Sequence, residues 1–126
     1  LRSDTTFPAA PQSTEEAKRW CEDAFREWGV TTDASSAVYV CGYLVDFAQH
    51  FGSGDIHVEL RLALRRVAIA VTRGGEWPEA RRASAGHGAL ERVQGTGASW
   101  GVRRNPKGGT TVWAEVPFGE RRDLPH

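Results

Sequence analysis

The stretch Tyr39-Val40-Cys41-Gly42-Tyr43-Leu44-Val45-Asp46-Phe47-Ala48-Gln49-His50-Phe51-Gly52, with Val71-Thr72-Arg73-Gly74-Gly75 downstream, decides how this chain folds. Val38, Cys41, Leu44, Val45 and Ala48 recur at three- and four-residue steps, which predicts a helix with one stripe on a core. Tyr39, Tyr43, Phe47 and Phe51 form a second, adjacent stripe at four-residue spacing. A helix that is apolar on two faces requires cover on both. Its start is expected near Asp33 or Ser35, either of which can cap it, and its end by Gly52.

Upstream, Leu1 to Ala10 is polar and predicts a short edge strand ended by Pro8. Ser13-Thr14-Glu15-Glu16 has the spacing of a capping box, followed by a helix to about Trp28 that stops at Gly29. Ala17, Trp20, Cys21, Ala24, Phe25 and Trp28 supply its buried stripe. Downstream, Ile56, Val58, Leu60 and Leu62 alternate with His57, Glu59, Arg61 and Ala63, a half-buried strand. Arg65-Arg66 makes the expected turn and Val67–Val71 returns as a second strand. Arg73 to Ala85 reads as a loop and Gly88 to Gln94 as a short helix. Ser99 to Arg104 and Thr110 to Val116 form a final hairpin around Asn105-Pro106-Lys107-Gly108-Gly109. Pro117 to His126 is expected to fray. This order predicts an α/β (α+β) two-layer sandwich, a mostly antiparallel sheet covered on one face by helices.

Composition sets the bounds. The chain has 126 residues, 40% hydrophobic and 25% charged, and sixteen basic residues balance sixteen acidic ones. One domain with its own core follows, spanning 1–126 with an ordered part from about 7 to 116. The charge balance argues against a nucleic-acid face or a membrane surface. No apolar run reaches the ~18 residues of a spanning helix, and a signal peptide's blocks are not evident. Cys21 and Cys41 both fall in helical patterns and read as buried free thiols of a cytoplasmic protein. With no Met in the sequence, Leu1 is expected to follow from processing, trimming or an alternative start.

The arc from Phe7 to Val116 resembles the small actinobacterial proteins of the GHKL (histidine-kinase-like) ATPase superfamily, in the anti-sigma-factor serine kinase branch. The segments that carry the resemblance are Phe7-Pro8-Ala9, Tyr43-Leu44-Val45-Asp46-Phe47-Ala48, and Ile69-Ala70-Val71-Thr72 before Gly74-Gly75. To these are added Trp100-Gly101-Val102-Arg103-Arg104 and Gly108-Gly109-Thr110-Thr111-Val112-Trp113. The resemblance implies a Bergerat-type sandwich. It also implies Mg-ATP as cofactor, phosphorylation of a serine on an antagonist protein, and capture of a sigma factor.

Set against that resemblance, the nucleotide site has lost its polar groups. Tyr43 stands where the family places a Glu that acts as base or orients the attacking hydroxyl. Phe47 stands where the family has an Asn whose amide oxygen ligates Mg; a phenyl ring has no lone pair for a hard cation. Arg73 stands where the family has an Asp that accepts from the adenine amino group, and Arg offers only donors. Gly74-Gly75 and Gly86-His87-Gly88 fall where the family has its two glycine boxes, but with the Asp, Asn and Glu missing, turns that need positive φ are the favoured account of these glycines. Thr111 completes the expected remodelled pocket. Trp77 is expected to pack over it as a lid or to anchor a partner. Asp46 is rotated by roughly 100° from Phe47 and points away, and His57 and His87 lack neighbours at zinc-ligand spacing.

The expected function is therefore that of a regulatory pseudo-ATPase, with no catalytic residues, metal or cofactor. It would bind a sigma factor or an anti-anti-sigma-type protein, and a dimer is a further expectation. Two alternatives stand beside it. One is a divergent ATP-dependent serine/threonine kinase that recruits Asp46, His50 or Glu76. The other is a small-ligand sensor that uses the aromatic pocket.

Overall fold

Period-two alternation governs the sheet. The computed structural model describes residues 1–30, 34–75 and 89–117. In chain order the elements are β1 (Arg2–Phe7), α1 (Ser13–Glu27), α2 (Ser35–His50), β2 (Ser53–Ala63), β3 (Arg66–Gly74), α3 (Ala89–Gly95), β4 (Ser99–Arg104) and β5 (Thr110–Pro117). The strands make one antiparallel five-stranded sheet in the order β1-β2-β3-β5-β4. The chain thus leaves β3, passes through α3 to the far edge as β4, and returns as β5 between β4 and β3. With the helices packed on the sheet, the fold is an open α+β two-layer sandwich.

One face of the sheet is core. Ile56, Val58, Leu60, Val67, Ile69, Val71, Val112, Ala114 and Val116 alternate along β2, β3 and β5 and are fully buried or nearly so. Burial of each such side chain contributes about 1.5–3 kcal/mol. Helix α2 lies over this face, with α1 on one side and α3 on the other. Its predicted stripe of Val38, Cys41, Leu44, Val45 and Ala48 is buried as a unit. The second stripe is covered unevenly: Phe47 is fully buried, Tyr43 and Phe51 are half-buried, and Tyr39 is exposed.

Helix starts depart from the sequence reading. Ser13 is the first residue of α1 rather than its cap, and Gln12 occupies the cap position. The Ser13 hydroxyl donates to the Pro8 carbonyl at 2.6 Å, buried where it ties the end of β1 to the helix start, so it is not available to a helical amide. Likewise α2 begins at Ser35 with Ala34 at the cap and no side-chain cap bond. Asp33, the other predicted cap, lies outside the described residues. The α1 stop is as expected, with Gly29 left-handed at φ 74°.

The β2–β3 turn is Leu64-Arg65, with Arg66 already paired to Ala63. Arg65 has φ 65°, a left-handed conformation that costs a side-chain-bearing residue about 1–2 kcal/mol. Arg65→Gly is expected to raise stability by about 0.5–1 kcal/mol after glycine's larger unfolded-state entropy is deducted. A urea titration that shows a lower midpoint for the variant would contradict this. Cys21 and Cys41 are free and buried, as expected. A hydrogen bond with the Cys41 thiol, together with burial, pushes the Cys21 thiol far above the ordinary range. Cys21 is thus a thiol of low reactivity. No helix among the described residues is long and apolar enough to cross a membrane.

Candidate functional site

Arg73 is not in a loop: β3 runs through it to Gly74. The hydrophobic run Val67 to Val71 continues its alternation through Thr72 and Arg73, so Arg73 takes the same face as Val71, between Ile56 and Thr110 in register. That parity sends the guanidinium under the C-terminal end of α2, where Arg73 is 9% exposed. Its Nη1 donates to the carbonyls of Ala48 at 2.7 Å and Phe51 at 3.0 Å, and its Nε donates to the Gly54 carbonyl at 2.9 Å. The last carbonyls of a helix lack internal partners and carry the negative end of its dipole. One cation therefore satisfies the helix end, the connection that follows it and the start of β2.

Phe47 lies one residue before Ala48. Its side chain is fully buried within the core cluster, and its ring is 5.0 Å from that of Phe51 in a tilted arrangement. Tyr43, one turn earlier, follows a different course. It is half-buried, and its ring stacks on exposed Tyr39 at 6.5 Å with 22° between planes. The two rings divide: Phe47 belongs to the core and Tyr43 to its rim.

Gly74 and Gly75 adjoin this region. Gly74 pairs with Ser53 across a register shift, and Gly75 has φ 85°. A Cβ on Gly75 would come within 2.9 Å of the Ser53 hydroxyl oxygen and 3.2 Å of its amide nitrogen. The positive φ and the close approach of Ser53 together favour glycine there, with no ligand needed to explain it. Thr111 is elsewhere. It pairs in register with Thr72, on the sheet face away from the helices, where the two hydroxyls are 2.7 Å apart. It also donates to the Asn105 side chain at 3.2 Å. The structure brings Phe47, Arg73, Gly74 and Gly75 together at the end of α2, holds Tyr43 one turn away and puts Thr111 on the opposite face. Trp77, Glu76, Gly86, Gly88 and His87 lie outside the described residues.

Neither Phe47 nor Arg73 offers a lone pair to a cation or to an adenine amine. Asp46 is half-buried, and His50, exposed, turns its Nδ1 to the Asp46 carbonyl of its own helix at 3.0 Å. One cluster has no counterpart in the sequence pattern. Pairing of β1 with β2 places His57 between Asp4 (Nε2 to Oδ2, 3.1 Å) and Thr6 (Nδ1 to Oγ1, 3.0 Å). The partners are some fifty residues apart in the chain, so only strand pairing reveals them. Both the His57 and the Asp4 side chain are exposed by more than two fifths, and the cluster latches β1 to β2.

No family model matches the chain, and no curated protein matches its sequence.

Proposed function

We propose that this chain is a regulatory domain of pseudo-ATPase type, which acts by binding another protein and performs neither ATP hydrolysis nor phosphotransfer. The observation that carries the reading is the end of α2. A guanidinium buried among three main-chain carbonyls, beside a fully buried phenyl ring, commits to structure the positions that the resemblance assigns to adenine recognition and metal binding. Removing either group costs core stability, so these residues serve the fold rather than a ligand. The resemblance supplies the partner class, a sigma factor or an anti-anti-sigma-type protein, and two reduced, buried cysteines agree with a cytoplasmic setting. For the alternative of a divergent kinase that recruits Asp46, His50 or Glu76, the His50 ring is engaged by its own helix, and Glu76 lies outside the described residues.

Thermal unfolding with and without Mg-ATP tests this. A ligand at one hundred times its dissociation constant adds ~2.7 kcal/mol, which for a chain of this size is a rise of several degrees. The expected result at 5 mM Mg-ATP (roughly one hundred times a 50 μM dissociation constant) is a Tm unchanged within about half a degree. A reproducible rise of about two degrees or more overturns the reading.

A further inference from the structure

Helices α1 and α2 meet on a pair of sulfurs. Cys21 sits near the middle of α1 and Cys41 near the middle of α2, both fully buried where the helices pack together. A hydrogen bond joins the two thiols, and the Cys41 thiol donates to the Ala17 carbonyl, one turn back along α1, at 3.9 Å. The residues around the pair are small. Ala17 and Ala24 share the Cys21 side of α1, Ala37 lies one turn before Cys41 on α2, and all three are buried. Gly42 adjoins Cys41, and the stem of Lys18 from α1 lies over it, where a Cβ would meet Lys18 Cδ at 2.6 Å. A disulfide spans Cα atoms about 4.4–6.8 Å apart. Helices whose axes lie about 8–10 Å apart bring facing Cα atoms into that range, since each stands about 2.3 Å from its axis. Burial and the Cys41 contact oppose a thiolate at Cys21, but a disulfide carries neither charge nor proton and escapes that penalty. It forfeits only weak S–H donors.

We propose that Cys21 and Cys41 form a reversible disulfide that locks α1 to α2 when the chain meets an oxidised low-molecular-weight disulfide. The step is thiol–disulfide exchange. One protein thiol gives its proton to solvent and, as thiolate, attacks a sulfur of the small disulfide. That S–S bond breaks, and one small thiolate leaves and takes up a proton. The second protein thiol, likewise deprotonated, attacks the protein sulfur of the mixed disulfide and expels the other small thiolate. Two electrons pass from the cysteines to the oxidant, which ends as two thiols. Neither cysteine is exposed, so the first attack requires α1 to lift from α2. The second restores the packed arrangement, in which the sulfurs already touch. Among the described residues, α1 packs mainly on α2. It otherwise ties to the end of β1, through the Ser13 hydroxyl on Pro8 and the edge-on contact of Trp20 with Phe7. The oxidised form is therefore a domain whose first helix is fixed in place, whether or not the chain binds ATP.

Equilibration of the full chain over a range of reduced-to-oxidised glutathione ratios, read by acid quench and mass spectrometry, tests this. Approaching each ratio both from the reduced chain and from chain oxidised in urea and refolded makes the end point an equilibrium. The sequence has two cysteines, so an intramolecular disulfide can only be this one. The expected product is a monomer about 2 Da lighter than the reduced chain, restored by dithiothreitol. The bond closes a loop of about twenty residues. At one glutathione ratio, the balance of oxidised over reduced chain should be at least ~30-fold greater in the folded protein than in unfolding urea. The oxidised chain should melt about 5 °C or more above the reduced one. A folded chain that stays reduced, holds glutathione without closing the bond, or links to a second chain overturns the proposal. So does a smaller folded-state advantage or a lowered Tm, since the helices then do not hold the sulfurs in bonding position.

Discussion

Replacing Phe47 by Asn, the residue a magnesium site would need there, is expected to lower the unfolding free energy by about 3–5 kcal/mol. The ring is fully buried and in contact with Phe51, so the change removes a large apolar group and leaves an amide in an apolar setting. Phe47→Leu separates the two terms. It keeps the position apolar and should cost only about 1–1.5 kcal/mol. Urea titrations of the three proteins read both numbers. If Phe47→Asn instead loses less than about 1 kcal/mol, the ring faces an open site rather than the core.

Arg73→Ala should destabilise by about 2–4 kcal/mol, more than removal of a surface arginine, because the carbonyls of Phe51 and Gly54 lose the guanidinium together and that of Ala48 keeps only the longer bond from the Phe51 amide at 3.3 Å. Two of those carbonyls lie at the end of α2, so amide exchange in its last turn should speed up more than exchange at its start. Arg73→Asp should be worse than Arg73→Ala, since it turns a buried carboxylate towards acceptors and places a negative charge at the negative end of a helix. Buried pairs are weakly screened, so added salt should not rescue either variant. Equal stability of the Asp variant and the wild type would mean that the guanidinium is not the tie described here.

Much of this architecture was legible before any coordinate. The alternation of Ile56, Val58 and Leu60 against His57, Glu59 and Arg61 fixed both faces of β2, and the last hairpin appears as Ser99–Arg104 and Thr110–Pro117. Both helices carry the predicted stripes, because three-and-four spacing is a local property. What escaped was non-local. The partners of Arg73 are main-chain carbonyls, which have no residue-type signature, and its strand parity becomes visible only once β3 is known to continue past Val71. The Ser13 hydroxyl turned to Pro8 because β1 brings that carbonyl close, an option a capping-box pattern does not register. Thr111, expected in the pocket, pairs with Thr72 on the other face, a placement set by one step of strand parity. The Asp4–His57–Thr6 latch needed the β1–β2 register.

The buried guanidinium under α2 also bears on how freely this sequence can drift. A domain of this kind holds about 5–15 kcal/mol of stability in all. A change of Phe47 or Arg73 to a smaller polar residue forfeits several kcal/mol of that total, whatever else it brings. Position 73 thus works as a ratchet: once a side chain has taken over the closing of a helix, selection for folding alone holds it there, whatever the surface of the protein is later recruited to do.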